Sequence, residues 1–202
     1  MSLSKEALRE KALARRHAIP KDDRARWSAQ IRQNFLKRVP LPDAGGCISA
    51  YYAINSEVDV TDLYRDVIAK GYRGVMPYTG SPDGVLHFLE WDGVSDLTPG
   101  RMGLAEPDPK THAEYVPDML IMPLAAFDAR GYRVGYGKGH YDRTFNEFLF
   151  AANPHFVTVG VAFDAQALDT DMPAEAHDVP LHMLVTETSF YDFRNGIKEA
   201  LI

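Results

Sequence analysis

The chain has 202 residues, of which 46% are hydrophobic and 25% are charged, and its formal net charge is −6. This is the composition of a globular protein, and the length predicts one domain over residues 1–202 with a substantial core. The negative charge argues against general nucleic-acid binding, no apolar run could cross a bilayer, and the single cysteine, Cys47, excludes an internal disulfide. We therefore expect a cytoplasmic protein without nucleic-acid or membrane partners.

A helix is predicted over residues 4–18, with Ser4 as its N-terminal cap. The basic residues on or beside one face of this helix are Lys5, Arg9, Arg15 and Arg16. A solvent-exposed basic face would explain this pattern without any ligand. A second amphipathic helix is predicted from Lys21 to Arg38, with a role in packing.

Residues 46–54 are rich in aromatic and branched side chains and predict a core strand in which Cys47 is buried. A helix is expected to follow, ending at Lys70. Glu57 lies between them, near the carboxyl end of the strand, where open α/β sheets bind ligands. An acid at this position would also complement the helix dipole, so Glu57 alone does not predict a site.

Further strands are predicted at 73–78, 85–91, 119–124 and 156–163, and a last strand follows the loop that begins at residue 175. A turn is expected over residues 80–84, and His87 and Trp91 are expected to pack within the sheet rather than bind a ligand. The pattern predicts a single α/β domain. Its central sheet would have about six strands, mostly parallel or mixed, with helices on both faces.

Residues 127–148 are the most informative segment. Four glycines fall within nine positions, namely Gly131, Gly135, Gly137 and Gly139. The charged residues around them are Arg130, Arg133, Lys138, Asp142 and Arg143. A helix is predicted from His140, with one apolar side formed by Tyr141, Phe145, Phe148 and Leu149. A glycine-rich turn before a helix N-terminus favours anions, so we predict a phosphate-binding loop, with a ligand-free turn as the alternative.

Two common phosphate motifs are excluded by spacing. The dinucleotide pattern would need a glycine where His140 stands, and a Walker A loop would need one where Tyr132 stands.

The string Gly-Tyr-Arg-Val-Gly-Tyr-Gly-Lys-Gly-His-Tyr-Asp-Arg, residues 131–143, resembles the signature of the 5-formyltetrahydrofolate cyclo-ligase family, also called 5,10-methenyltetrahydrofolate synthetases. The resemblance covers nearly the whole chain but is most specific in residues 127–143. It implies ATP- and Mg²⁺-dependent cyclisation of 5-formyltetrahydrofolate to 5,10-methenyltetrahydrofolate, with release of ADP and phosphate, through a phosphorylated formyl intermediate. The implied partners are these two small-molecule substrates, and a monomer is preferred with a homodimer left open.

The resemblance also implies residue roles. The residues assigned to ATP are Lys5, Arg9, Arg133, Gly135, Tyr136, Gly137, Lys138, Gly139, His140 and Tyr141. Those assigned to the folate are Tyr52, Glu57, Tyr136, Gly137, Lys138, Gly139 and His140. Lys138, Tyr141 and Arg143 are assigned to catalysis. Asp142 and Asp178 are assigned to Mg²⁺, which prefers carboxylates together with water and phosphate oxygens.

Some assignments stay open. The family has a further basic residue in its first helix, after those that match Lys5 and Arg9. The helical face assigns this role to Arg16, whereas ungapped counting from Lys5 assigns it to Arg15. His182 stands where the family's pattern has an aspartate, although His177, Asp178 and Pro180 match it. Arg101 and Glu106 belong to the site or to a surface loop, and His140 could serve only as a stacking ring.

Two other functions are alternatives to the cyclo-ligase hypothesis. One is a nucleotide-binding protein of the same fold without this activity, and the other is an RNA-binding module that uses the basic N-terminal helix. The acidic total argues against the second.

Overall fold

The computed structural model describes residues 3–80, 84–95, 97–100 and 105–201, without the side chains of Glu147 and Phe148. Arg101 therefore lies outside the described residues. The α-helices are α1 Lys5–His17, α2 Lys21–Arg38, α3 Thr61–Ala69, α4 His140–Thr144 and α5 Phe150–Ala152. A π-helical turn, Phe145–Leu149, joins α4 to α5, and a 3₁₀ turn covers Asp164–Gln166.

Eight strands of the described residues form one central sheet. They are β1 Cys47–Ser49, β2 Arg73–Tyr78, β3 His87–Glu90, β6 Met119–Met122, β9 Val157–Val161, β10 Met183–Val185, β11 Ser189–Asp192 and β12 Ile197–Ala200. Two short antiparallel pairs lie outside it, β4 Thr98–Pro99 with β5 Ala105–Glu106 and β7 Ala126–Phe127 with β8 Arg133–Val134.

The sheet order is β12-β11-β10-β9-β6-β1-β2-β3. Strands β10, β9, β6, β1 and β2 run parallel. At one edge β3 pairs antiparallel with β2, and at the other β11 pairs antiparallel with both β10 and β12. The predicted α/β class with a mostly parallel central sheet is confirmed. The sheet is larger than the expected six strands because residues 189–200 add an antiparallel hairpin beyond β10. The outer strand of that hairpin is largely exposed, so its sequence lacks the apolar signal of a core strand.

Helices cover both faces of the sheet, as predicted. Along β6, Met119 and Ile121 join one core cluster and Leu120 and Met122 join the other, because successive strand residues point to opposite faces. The first cluster is completed by residues of α2 and α3, which include Ile31, Phe35, Leu63 and Val67. The second is completed by Phe145 and Leu149 of the π-helical turn.

Strands β1 and β6 end earlier than their apolar sequences predict. β1 stops at Ser49 although the apolar run continues to residue 54, and β6 stops at Met122, directly before Pro123. Proline has no N–H to donate to a neighbouring strand, which explains the end of β6. Because parallel strands end at the same edge of a sheet, the loops after β1, β2 and β6 emerge side by side.

Helix α1 packs on the β7–β8 hairpin rather than on the central sheet. Ser4 caps it as predicted, since its Oγ accepts the N–H of Ala7 at 3.2 Å. Leu8 and Ala12 are buried against residues of the hairpin, among them Ala126 and Val134. This packing brings the N-terminal cations to the glycine-rich segment.

Two residues assigned to packing are confirmed in that role. Cys47 is buried, and burial raises the pKa of its thiol to about 12. Trp91 stacks on Tyr64 with ring centroids 5.4 Å apart, and its Nε1–H donates to the carbonyl of Ser95. In the described part of the chain, no helix has the length and apolar character needed to span a membrane.

Candidate active site

A cleft of about 230 Å³ lies where the loops after β1, β2 and β6 meet. Most of the residues assigned to ATP, folate or metal line it. They are Tyr52, Glu57, Arg133, Gly135, Tyr136, Lys138, Gly139, His140, Tyr141 and Asp142. Lys5, Arg9, Gly137, Arg143 and Asp178 are not part of the lining, although Arg9 contacts Gly135, which is.

The glycine-rich segment adopts the backbone that its sequence predicts. Gly137 and Gly139 have φ values of +89° and +66°, which other residues adopt only with strain, and α4 begins directly after Gly139. Arg9 of α1 holds this loop, because its Nε donates to the carbonyl of Gly135 at 2.7 Å. Its guanidinium also lies 3.5 Å from the position that a Cβ of residue 137 would occupy.

The predicted helix after the loop is interrupted by the π-helical turn. Phe145 and Leu149 are fully buried, and the ring of Tyr141 packs 6.1 Å from that of Phe145. These three side chains match the predicted apolar side, whereas the side chain of Phe148 lies outside the described residues. Burial raises the pKa of Tyr141, so it is a neutral phenol. π-Helical turns are frequent at functional sites.

His140 and Arg143 both bind the carbonyl of Gly84. The distances are 2.9 Å from His140 Nδ1 and 3.1 Å from Arg143 Nη1. Because a carbonyl oxygen only accepts, Nδ1 of His140 carries its proton. The structure thus shows His140 in a hydrogen bond, while the stacking role considered from the sequence stays a prediction. It also directs Arg143 towards Gly84, outside the cleft lining.

Arg133 connects the two segments that carry the candidate metal ligands. This buried guanidinium donates to Oδ1 of Asp142 at 2.6 Å and to the carbonyl of Val179, the residue after Asp178. It also lies over the ring of Phe145, 5.3 Å from the centroid. Asp142 is therefore held in place by an ion pair before any ligand binds.

Lys5 forms the equivalent pair with Asp178. Its Nζ lies 2.6 Å from Asp178 Oδ2 and 3.2 Å from Glu175 Oε1. Burial would lower the pKa of Lys5, but the hydrogen bonds to both carboxylates outweigh it and leave that pKa raised. Burial would likewise raise the pKa of Asp178, but the hydrogen bonds from Lys5 and from the N–H of Glu175 leave it lowered.

The chemistry of Asp142 and Asp178 fits Mg²⁺ that is bound mainly by phosphate and water. Among the described residues, no group of three or more His, Cys, Asp or Glu side chains could hold a metal by itself. Mg²⁺ is commonly held by one or two carboxylates together with substrate phosphates, so a complete protein cage is not required. Each aspartate is paired with a cation, Asp142 with Arg133 and Asp178 with Lys5.

Arg16, not Arg15, reaches the site. Arg16 is almost fully buried and donates to Ser56 Oγ at 3.0 Å and to the hydroxyl of Tyr136 at 2.6 Å. Arg15 instead donates to the carbonyl of Ala167, away from the cleft. The helical face predicted this outcome, whereas ungapped counting did not. Arg16 lies behind Tyr136 and supports the site from within the protein.

Glu57 belongs to the same network. Its Oε2 accepts the N–H of Ile54 at 2.9 Å. Burial raises the pKa of Glu57, while the hydrogen bond from Ile54, the nearby hydroxyl of Tyr136 and the charge of Arg16 oppose that rise. Tyr52 stands beside it with about half of its surface exposed. The cleft therefore presents a buried carboxylate next to aromatic surface.

His182 has a structural role directly before β10. Its Nδ1 accepts the N–H of Thr158 at 3.0 Å, so its proton is on Nε2, and its own N–H donates to Thr158 Oγ1. An aspartate could accept the same N–H. Burial, aided by the charge of Arg194, lowers the pKa of His182. The departure from the family's pattern thus keeps a hydrogen-bond acceptor at this position.

Several cleft residues were not predicted from the sequence. Tyr51, Met76 and Thr79 line the cleft, and so does Glu106, which the sequence left open as a surface residue. The available signal was position, because each of the first three lies at or just beyond the carboxyl end of a parallel strand. Glu106 lies on β5, whose two residues carry no strand pattern.

Replacement of Tyr136 by Phe should reduce the free energy of unfolding by about 1–3 kcal/mol, because Nη1 of buried Arg16 loses its acceptor at 2.6 Å and keeps only the carbonyl of Leu124 at 3.4 Å. Urea denaturation measures the change. The matched control is Tyr52→Phe, whose hydroxyl belongs to a half-exposed side chain and should change stability by less than about 0.5 kcal/mol. Equal effects of the two variants would contradict the Arg16–Tyr136 contact.

The free energy of unfolding should decrease as the pH is lowered, and part of this decrease should come from His182. Its pKa is lowered in the folded protein, so below about pH 6.5 the unfolded chain binds a proton that the folded chain does not. The contribution of neutral His182 to stability is therefore complete above the pKa that His182 has in the unfolded chain. It is lost as the pH falls towards the lower pKa that His182 has in the folded protein. In His182→Asn, the unfolding free energy should decline less between pH 7 and 5. The exposed-residue control His155→Asn should follow the wild type, and a wild-type slope in His182→Asn would refute the assignment.

Comparison with known proteins agrees with this geometry. The model of the 5-formyltetrahydrofolate cyclo-ligase family matches residues 1–187. The chain is 28% identical over 186 residues to the 5-formyltetrahydrofolate cyclo-ligase of Escherichia coli strain K12, covering 89% of this chain and 98% of that one. It is 29% identical over 189 residues to the corresponding protein of Mycolicibacterium smegmatis, covering 91% and 93%.

Solved structures agree as well. The NMR structure of Aquifex aeolicus 5,10-methenyltetrahydrofolate synthetase superposes with a TM-score of 0.77 at 29% identity, over 94% of this chain and 93% of that one. The synthetase of Mycoplasma pneumoniae has the same fold, with a TM-score of 0.71 at 23% identity over 92% and 99%. The chain therefore belongs to the 5-formyltetrahydrofolate cyclo-ligase family, a family of ligases, as the resemblance of its glycine-rich segment predicted.

Proposed function

We propose that this protein uses ATP to convert 5-formyltetrahydrofolate into 5,10-methenyltetrahydrofolate, ADP and phosphate. The observation that carries the proposal is that one cleft combines the glycine-rich loop, residues 135–139, with the buried carboxylate of Glu57. The loop is suited to phosphate groups, and the carboxylate is suited to a pterin. Membership of the cyclo-ligase family supports the same pair of substrates.

The pterin ring would bind at Glu57. A pterin presents adjacent N–H donors that one carboxylate can accept in bidentate fashion. Glu57 is buried and its pKa is raised, so a ligand that donates to the carboxylate would compensate for its lost hydration. Tyr52 and Tyr136, both partly exposed in the cleft, offer aromatic surface to the bound ring.

The phosphates of ATP would lie on the glycine-rich loop. Lys138 is exposed within the cleft lining and supplies a cation at the loop itself. Arg9 fixes the loop through the carbonyl of Gly135, and Lys5 pairs with Asp178, one of the two carboxylates assigned to Mg²⁺. Arg143 could reach the phosphates only after leaving the carbonyl of Gly84.

The chemical problem is that the oxygen of an N-formyl group is a poor leaving group. The γ-phosphoryl group of ATP would transfer to that oxygen, so the new bond joins formyl oxygen to phosphorus and ADP departs. N10 of the folate would then attack the formyl carbon, lose its proton and expel the oxygen as phosphate. The protein contributes positioning and charge neutralisation to both steps.

Asp142 and Asp178 would hold Mg²⁺ together with the phosphates. The ion would supply further neutralisation of phosphate charge when bound. Before binding, Arg133 and Lys5 pair with these two carboxylates and orient them.

The direct test is the absorbance of the methenyl product when purified protein is mixed with 5-formyltetrahydrofolate and Mg²⁺, with and without ATP. We expect product only with ATP, and its loss on addition of a chelator. In Glu57→Gln, kcat/KM for the folate should fall at least tenfold while ATP affinity measured by calorimetry stays unchanged, because an amide cannot accept both pterin donors. ATP binding without product would favour a nucleotide-binding protein of this fold that acts on another substrate.

Asp142→Asn should lower turnover at least tenfold without unfolding the protein. The amide oxygen can still accept from Arg133, but the charge that Mg²⁺ requires is lost. Steady-state kinetics and the melting temperature measure the two effects. Asp62→Asn, an exposed change on α3 away from the cleft, should behave as the wild type. Turnover within about threefold of wild type in Asp142→Asn would exclude the metal assignment.

A further inference from the structure

Glu106 is a buried carboxylate of the cleft with one unused oxygen. Only 2% of the residue is exposed, and it lines the cleft beside Thr79 and Ala105. Its Oε1 accepts both the backbone N–H of Thr79, at 3.2 Å, and the hydroxyl of Thr79, at 2.5 Å. Its Oε2 is buried and has no hydrogen-bond partner within the part of the chain that the structure describes. A buried polar atom without a partner is costly to the folded state.

The contact with Thr79 does not explain why this residue is a glutamate. One oxygen accepts both donors of Thr79, and a glutamine amide oxygen could do the same. The backbone also leaves room for the second oxygen, because a Cβ on Gly100 would lie 2.5 Å from Oε2. The chain thus keeps space around an acceptor that it does not use itself.

A ligand of the cleft is the natural partner for this oxygen. No group of three metal-binding side chains occurs in the described residues, so a metal held there by the protein alone is disfavoured. The remaining candidate partner of Oε2 is an N–H donor of a ligand. If Glu57 takes the paired donors of the pterin, a reduced folate still carries a ring N–H and the N10–H of its bridge.

We propose that Glu106 is a second folate-binding carboxylate, whose Oε2 accepts an N–H group of the substrate that Glu57 does not bind. The proposal rests on the proposed function, because it assumes that the cleft binds a reduced folate. It assigns the wall formed by β2 and β5 to recognition of the folate, whereas the glycine-rich loop is assigned to the phosphates of ATP. Glu106 thereby becomes a residue that touches the substrate rather than one that merely closes a loop.

The decisive variant is Glu106→Gln. It retains an oxygen for Thr79 but replaces the unused acceptor with an NH₂ donor, which would face the donor of the substrate. We expect at least tenfold weaker binding of 5-formyltetrahydrofolate, unchanged binding of ATP, and a melting temperature of the free protein that is equal to or higher than wild type. A residue with only a structural role would leave the folate affinity unchanged.

Glu187→Gln is the matched control. Glu187 is also buried, but both of its carboxylate oxygens lie within hydrogen-bond distance of the N–H of Asp164 and it is not part of the cleft lining. Its folate affinity should equal that of the wild type. If Glu106→Gln does not fold, Gly100→Ala replaces it, because the added methyl group must displace the Glu106 carboxylate and should weaken folate binding in the same way.

Isothermal titration calorimetry with 5-formyltetrahydrofolate and, separately, with ATP distinguishes the outcomes. Weaker folate binding in Glu106→Gln, or in folded Gly100→Ala if the first variant does not fold, supports the proposal. Wild-type folate affinity in the deciding variant overturns it and leaves the proposed function intact. A wild-type protein that binds ATP but no reduced folate overturns both.

Discussion

The parallel pairing of β2, β1 and β6 is the constraint on which the site depends. Parallel strands end at one edge of the sheet, so three loops that are distant in sequence emerge next to one another. The loop after β1 brings Tyr52 and Glu57, the end of β2 brings Thr79, and the segment after β6 leads to the glycine-rich loop. Alternating side chains of these strands are buried on both faces, which fixes the positions of the strand ends.

The charged groups around the cleft are held by other charged groups before a ligand arrives. Arg133 pairs with Asp142, and Lys5 pairs with Asp178. Partly buried ion pairs contribute little net stability, because desolvation offsets most of their attraction. What they provide here is orientation. The Lys5–Asp178 pair joins α1 to the segment around residue 178, and Arg133, which holds Asp142, joins the glycine-rich segment to it through the carbonyl of Val179. A site whose groups are already oriented loses less entropy when it binds its ligands.

On the interior side of the cleft, by contrast, two buried carboxylates are not fully compensated within the described part of the protein. Glu57 has a raised pKa because it is buried, and Glu106 has an oxygen without a partner among the described residues. Both features cost stability in the free protein, and both can be compensated by donors on a ligand. Arg16 limits the cost at Glu57, because its charge and its contact with Tyr136 support the carboxylate. Stability given up at a binding surface is a common consequence of function.

The sequence by itself determined the six core strands, the capped first helix, the glycine-rich turn before α4 and the family, because periodicity, capping and glycine turns are encoded within short segments. Only the tertiary structure decided which side chains meet. Lys5 and Asp178 are 173 positions apart, and Arg16 and Tyr136 are 120 apart, so no local pattern could pair them. The same reason explains why the sequence left Glu106 open between the site and a surface loop although it lies buried in the cleft, and why Arg143 turns to Gly84. Local order follows from neighbouring residues, whereas the partners of buried charges follow from the packing of the whole chain.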